Sequence, residues 1–294
     1  MLHAQVGGKN VLLGFREAGT HRIVDMRECH ILSPELFSLV TPLRDLLRKH
    51  ARPGLVDVNL TSTNQGVDCL IKGLEIEGYE THEDLLDLAR AQDLARLSLD
   101  QGLGSETIWE PEPVAVTLGG LPVSFPAGGF LQATRDGEKI LQDDVVQHCA
   151  ASGAVADLFA GLGTLSLPLA AMGKPVALFE ADQAAHLASR RALSSLNGSG
   201  QAVHRDLFRA PVQPDELKRF DTVILDPPRA GARAQVAALA KSDIARIVYV
   251  SCNPASWARD ASALVAAGYR LQALRPVGQF RWSTHVELSS LFVR

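Results

Sequence analysis

The sequence is poor in cysteine. Its four cysteines, Cys29, Cys69, Cys149 and Cys252, lie far apart with no CxxC spacing, which excludes a disulfide framework and a zinc site built on cysteine pairs. Long hydrophobic runs are missing as well: nothing approaches the roughly 18 uninterrupted apolar residues of a membrane span, and residues 1–10 lack the charged and then apolar blocks of a signal peptide. The expectation is a cytoplasmic protein with no membrane partner. Excess positive charge is absent too. With 29 Lys and Arg against 33 Asp and Glu the net charge is −4, so the chain is not coated with basic surface, and any nucleic-acid contact has to be a local patch. There is no internal repeat and no low-complexity run.

What is present is a chain of 294 residues, 46% hydrophobic and 21% charged, long enough for two domains. The texture changes near residue 125. Residues 1–124 mix short β-like runs (11–15, 55–60, 114–118) with helical stretches (34–50, 82–91) and read as a small α+β domain. Turn-forming Gly119-Gly120 and Pro126-Ala127-Gly128-Gly129 precede a helical segment at 136–150. From residue 155 apolar runs (155–159, 175–180, 202–206, 222–226, 247–251) alternate with helical segments (165–172, 183–196, 235–241, 256–267), the pattern of parallel βαβ units. Two further strands, 269–274 and 285–293, flank a long loop, 275–284. Residues 125–294 are therefore expected to form a Rossmann-like α/β sheet closed by a hairpin, as in S-adenosylmethionine (SAM)-dependent class I methyltransferases.

Asp157-Leu158-Phe159-Ala160-Gly161-Leu162-Gly163-Thr164 ends one strand and opens a helix. Gly161 and Gly163 let the backbone approach a ligand, and the third glycine of GxGxxG is absent, which disfavours a dinucleotide because SAM has no pyrophosphate to cradle. Glu180 ends the next strand, where an acid accepts hydrogen bonds from ribose hydroxyls. Asp206 ends the third and is expected to face adenine. Ligands bind at the carboxyl ends of such sheets.

Asp226-Pro227-Pro228-Arg229-Ala230-Gly231 follows the fourth strand. Its two prolines hold the loop and the Asp226 carboxylate rigidly toward a planar substrate. In Ser251-Cys252-Asn253-Pro254, Asn253 reads as an N-cap and Pro254 as the first helical residue, so the Cys252 thiolate is expected to be favoured by the helix dipole. Cys69 and Cys149 lie in no motif and read as inert. Carbon 5 of uracil is a poor nucleophile, and addition of a thiolate at carbon 6 remedies this by generating an enolate. After methylation a base must remove the carbon 5 proton. His285-Val286-Glu287 offers Glu287, with His285 as the alternative base on the same face of an extended segment.

DLFAGLGT, DPPRAG, SCNP and the terminal HVE, in this order, resemble the RNA uracil-5-methyltransferase family, with its RumA-like ribosomal RNA branch and TrmA-like tRNA branch, over nearly the whole chain. The resemblance implies SAM as cofactor, Cys252 as nucleophile, Glu287 as base and Asp226 between cofactor and uracil. Phe159, Thr164, Glu180 and Asp206 should line the SAM pocket. Gly129-Phe130-Leu131-Gln132-Ala133-Thr134 is similar to the family's FxQxN segment, which implies that Gln132 contacts cofactor and base. Phe130 is then the candidate for stacking, and Arg229 joins the substrate side. Thr134, and likewise Thr164, stand where asparagine is usual. Residues 14–29 are similar to the central RNA-binding domain of the RumA-like branch. Family members commonly carry an N-terminal β-barrel and three clustered cysteines that, with a later one matched by Cys29, hold an iron-sulfur cluster. Barrel and cluster cysteines are absent here, so no cluster or other metal is expected, and the chain is either shortened at its N-terminus or a naturally short member. The expected partner is RNA, rRNA ahead of tRNA, bound by a monomer. The alternatives are a tRNA enzyme, or an RNA-binding relative without turnover. Arg44, Arg48, Lys49, Arg52 and Arg281 are the basic residues expected to meet phosphates.

Overall fold

The computed structural model describes every residue except 9, 18, 197–199 and 281–282. It divides into two units, Met1–Val116 with Ser124–Gly129, and Thr117–Val123 with Phe130–Arg294. The chain thus trades short segments around 117–129, where the sequence reading drew one boundary after residue 124.

In the first unit the strands are β1 (Leu2–Gly7), β2 (Asn10–Arg16) and β3 (Ile23–Asp25). After helices α1 (Pro34–Ser38) and α2 (Val40–His50) come β4 (Gly54–Ser62), β5 (Val67–Lys72), α3 (Gly78–Ala91), β6 (Leu94–Asp100) and β7 (Ser105–Trp109). Among the described residues they form one sheet in the order β3-β2-β1-β4-β5-β6-β7. Pairing is antiparallel except between β5 and β6, which α3 connects. The expected helix 34–50 is two helices that break at Leu39. Val40, Leu43, Leu46 and Leu47, spaced three and four apart, are the buried side of α2.

A small hairpin, β8 (Ala115–Leu118) and β9 (Leu121–Ser124), turns through Gly119-Gly120. Then follow α4 (Arg135–His148), β10 (Val155–Leu158), α5 (Leu167–Ala171), β11 (Val176–Glu180), α6 (Gln183–Ser194), β12 (Gly200–His204), α7 (Pro214–Leu217), β13 (Thr222–Leu225), α8 (Arg233–Leu239), β14 (Arg246–Ser251), α9 (Pro254–Ala266), β15 (Arg270–Val277) and β16 (Glu287–Val293). The sheet order is β12-β11-β10-β13-β14-β16-β15. The five strands β10 to β14 are parallel, while β16 runs against both β14 and β15. This is the expected Rossmann-like sheet with its closing hairpin. Strands β10 and β13 are buried at every residue, which is why they read as mainly apolar runs, broken in β10 by Asp157, rather than alternating ones. Strand order reverses beside β10, and the crevice beyond the carboxyl ends there is the general ligand site of such sheets.

Among the boundaries that differ from the sequence reading, three bear on the site. Strand β12 stops at His204, leaving Asp206 in the following turn, β15 continues to Val277, and β16 begins at Glu287, so His285 precedes the strand.

Candidate functional site

Register brings the candidate residues together. Leu158 of β10 pairs with Phe179 of β11 and Leu225 of β13, Leu225 pairs with Tyr249 of β14, Ser251 with Leu288 of β16, and Glu287 with Val277 of β15. Residues just beyond these pairs therefore share one end of the sheet: the 159–164 loop, Glu180, Asp226, Cys252 and Glu287.

On the β10 side, Phe159 holds a left-handed backbone (φ 67), a conformation non-glycine residues adopt only when the surroundings enforce it. The N–H groups of Phe159 and Ala160 both donate to the Phe179 carbonyl at 3.1 Å, and the Phe159 ring packs against Phe208, centroids 5.3 Å apart. Gly161 N–H donates to Glu180 Oε2 at 2.7 Å, and a side chain at Gly161 would enter open space. Gly163 is different: a Cβ there would meet Leu167 and Leu178 at 2.8 and 2.9 Å, so this glycine serves helix-strand packing rather than ligand approach. Thr164 offers its carbonyl to Gln142 at 3.1 Å. Glu180 also accepts from Asp182 N–H at 2.7 Å, and Asp206 Oδ1 accepts from Phe208 and Arg209 N–H groups, so both acids are oriented before any ligand arrives.

The 226–231 loop is anchored from behind. Buried Asp260 accepts from Ala232 N–H at 2.7 Å and from Tyr249 Oη at 2.8 Å, and Arg259 donates to the Ala230 carbonyl. Gly231 (φ 77) is required there, since a Cβ would lie 2.6 Å from Asp260 Oδ2. Asn253 caps α9 as expected, accepting from Ala255 N–H at 3.1 Å, and its Nδ2 donates to the Arg229 carbonyl at 2.9 Å. The cap thus ties the Cys252 turn to the Asp226 loop.

Around Cys252 the electrostatics reverse the expectation of a stabilised thiolate. Burial raises the thiol above its ordinary value, the charges of Glu287 and Asp226 push the same way, and Arg229 opposes them. Burial first, and then the two carboxylates, disfavour the thiolate. Glu287 is only 5% exposed; burial lifts it above the ordinary carboxylate range, with His285 and Arg229 pulling it back. His285 Nε2 lies 3.3 Å from Glu287 Oε1, and Arg229 Nη2 lies 3.3 Å from His285 Nδ1. Because a guanidinium only donates, Nδ1 is the acceptor and Nε2 carries the proton toward Glu287. Burial, with Glu287 and Asp157 adding to it, sets Asp226 well above the carboxylate range. Asp157 is 1% exposed and both its oxygens lack a partner among the described residues; burial pushes it up to about 7.

Upstream, Phe130 is 76% exposed, so it is no core residue. Thr134, at the usual asparagine position, caps α4 through Oγ1, which accepts from Gly137 N–H at 3.1 Å. Gln132 accepts a hydrogen bond from Gln279 at 2.7 Å. Gln279 and Phe208 are site residues that sequence reasoning missed: the first reaches Gln132 across 147 positions, and the only signal for Phe208 was an aromatic residue two places after Asp206.

Known proteins resemble this chain in sequence and in fold. A family model described as tRNA (uracil-5-)-methyltransferase matches residues 202–294, and one described as methyltransferase small domain matches residues 127–246. An uncharacterized RNA methyltransferase of Zymomonas mobilis is 46% identical over 294 residues, covering 100% of this chain and 74% of the relative. The chain belongs to the RNA uracil-5-methyltransferase family. It is accordingly a SAM-dependent RNA methyltransferase. A 23S rRNA (uracil(1939)-C(5))-methyltransferase of Pectobacterium atrosepticum is 31% identical, covering 99% of this chain and 66% of the relative. In fold it resembles the Pyrococcus abyssi tRNA (uracil-54, C5)-methyltransferase solved with S-adenosyl-L-homocysteine, with a TM-score of 0.75, 23% identity and coverage of 99% of this chain and 74% of that one.

For this methyltransferase the basic residues of the first unit were expected to meet phosphates, and four of them are already committed. Arg44 reaches Asp25 and the Met26 carbonyl, Arg48 reaches Asp45, Lys49 reaches Asp84 and Glu80, and Arg52 reaches Glu75 and Glu77. They form no free positive patch, because each basic residue has acids within reach of its own unit. Arg281 lies outside the described residues. Cys29 Sγ accepts from Leu32 N–H at 3.3 Å, and among the described residues no group of three or more His, Cys, Asp or Glu is placed to hold a metal. No described helix is long and apolar enough to cross a membrane.

Proposed function

We propose that this protein methylates carbon 5 of a uridine in 23S rRNA through a covalent Cys252 adduct, with Glu287 as the base that ends it. The observation that carries the reading is the meeting of Asp226, Cys252 and Glu287 at adjoining strand ends, with Glu287 buried and held by His285. SAM, when bound, supplies an electrophilic methyl group. Gln132, Phe159, Gly161, Thr164, Glu180, Asp206 and Asp226 would hold it, Phe159 and Phe208 offering an aromatic wall beside Asp206, and the open face at Gly161 leaving room for it.

In the proposed reaction the thiolate form of Cys252 bonds through Sγ to carbon 6, and the ring π electrons move toward the carbon 4 oxygen. Carbon 5 then takes the methyl as the methyl-sulfur bond breaks, with S-adenosylhomocysteine as the leaving group. Glu287 takes the carbon 5 proton, the electron pair released re-forms the ring double bond, and the carbon-sulfur bond breaks. A carboxylate raised above its ordinary range is the stronger base for this task. His285 serves as its positioning group, since both imidazole nitrogens are engaged. Phe130 stacks on the extruded base and Arg229 steadies the developing negative charge.

Preference for 23S rRNA follows the name of the Pectobacterium relative; tRNA is the second reading, favoured by the name of the 202–294 model. The intact Asp226, Cys252 and Glu287 set argues against an RNA-binding relative without turnover. Residues 1–124 would serve RNA recognition, in a monomer acting in the cytoplasm. The test is methylation of undermodified 23S rRNA and tRNA transcripts with labelled SAM, followed by mapping of 5-methyluridine and trapping on 5-fluorouracil RNA. Label on tRNA alone would reverse the substrate assignment, and label on neither would end the functional reading.

A further inference from the structure

Thr134 N–H donates to Gln279 Oε1 at 3.1 Å, and Gln279 Nε2 donates to Gln132 Oε1 at 2.7 Å. The chain of bonds has one sense only. A backbone N–H cannot accept, so the carbonyl end of the Gln279 amide must face Thr134. Its NH2 end must then face Gln132, which has to present its own carbonyl oxygen. Gln279 is 8% exposed and is seated where Gly137 has no side chain, since a Cβ there would lie 2.8 Å from Gln279 Cγ. What remains is the Gln132 Nε2 group, which has no acceptor among the described residues. Gln279 follows Val277 by two residues, and Val277 pairs with Glu287. The locked amide therefore belongs to the same strand ends as Glu287.

We infer that Gln279 is a positioning residue that fixes the Gln132 carboxamide as a hydrogen-bond donor toward the acceptor at carbon 4 of the target base. The inference rests on the uracil reading above. Uracil carries an oxygen at carbon 4, which accepts; cytosine carries an amino group there, which donates and would meet a second donor. Selectivity then comes from an amide whose direction is dictated by a backbone N–H two residues away from it.

The test is Gln279→Glu. A carboxylate still accepts from Thr134 N–H but cannot donate to Gln132, so the Gln132 amide turns over, gives its NH2 to Glu and presents its carbonyl to the base. Expected results are a fall of roughly tenfold or more in kcat/KM on uracil RNA, carried in KM as well as kcat. The same RNA with cytosine at the target should inhibit at least as well as it inhibits the wild type, shrinking the uracil preference about tenfold. Gln279→Met removes both bonds without imposing the opposite sense, and should lose rate on uracil with no gain in cytosine binding. SAM affinity by calorimetry and the melting temperature show that each variant is folded. Wild-type turnover with an unchanged uracil-to-cytosine ratio in Gln279→Glu, or an equal gain in Gln279→Met, overturns the inference alone. Wild-type protein that methylates no uracil overturns the functional reading and this inference with it.

Discussion

His285 Nε2 meets Glu287 Oε1 at 3.3 Å although His285 lies outside the strand that begins at Glu287. The imidazole thus holds a buried carboxylate from the irregular segment before the strand, with Arg229 fixing its tautomer from the other side. If Glu287 removes the carbon 5 proton, Glu287→Gln should still form the carbon-sulfur bond but fail to release it, and a protein-RNA adduct should accumulate on ordinary uracil RNA. His285→Ala should slow release by roughly tenfold, the cost of one charge-assisted hydrogen bond, without trapping the adduct. A trapped adduct in His285→Ala and none in Glu287→Gln, read on denaturing gels, would exchange their roles.

Cys252→Ala should abolish methylation while leaving SAM affinity within about threefold, because in the proposed mechanism the thiol attacks the base and does not hold the cofactor. Isothermal titration with SAM beside a single-turnover assay separates the two effects. Residual turnover above about 1% of wild type would exclude the covalent route.

The raised Cys252 thiol predicts a pH profile. The reactive form is the thiolate, whose fraction climbs about tenfold per pH unit below the thiol's pKa, and that pKa sits above its ordinary value because of burial, Glu287 and Asp226. Adduct formation on 5-fluorouracil RNA should therefore still be rising at pH 9. Arg229 is the group that opposes the shift, so Arg229→Ala should move the climb to higher pH. A profile already flat between pH 7 and 9 would show that the thiol is activated by something other than these charges.

Asp157 makes a stability prediction. Its pKa in the fold, about 7, lies above the unfolded value of about 3.9, so the fold prefers the protonated form. The contribution is favourable below about pH 4 and is lost as pH rises through 7. Three pH units at about 1.4 kcal/mol each make the loss on the order of 4 kcal/mol. Asp157→Asn, which cannot ionise, should melt higher than the wild type at pH 8, and the gap should close toward pH 4. Urea melts at both pH values check this, and a gap independent of pH would mean that Asp157 is neutralised by a partner.

Much of the second unit was legible because its central strands, β10, β11, β13 and β14, are almost wholly buried and announce themselves as mainly apolar runs. The strand ends then put Glu180, Asp226 and Cys252 at one edge by topology alone. Where legibility failed, the cause was long-range or masked by local chemistry. Arg275 and Pro276 read as loop because proline donates no ladder bond, yet β15 is the edge strand, where that donor is not needed. The Cys252 environment was misread from its own helix, since the opposing charges arrive from β13 and β16. Gln279 was invisible because nothing in its neighbourhood predicts a bond to a residue 147 places earlier. The basic run Arg48-Lys49-His50 read as a cationic surface because Asp84, the shared partner of Lys49 and His50, lies on another helix, while Arg48 pairs with Asp45 of its own.

The antiparallel seam between β14 and β16 has a consequence for how this chain tolerates change. Six consecutive pairs, from Arg246↔Val293 to Ser251↔Leu288, lock the two strands. Since side chains alternate faces, deleting a single residue between Leu288 and Val293 would slide Glu287 by one step and turn it away from Cys252. The same deletion among residues 283–286 would leave the β14–β16 register in place and disturb instead the support that His285 gives Glu287. Methyl transfer in this protein is thereby an assay of strand alignment, sensitive to a 3.4 Å slip that would barely alter the content of secondary structure.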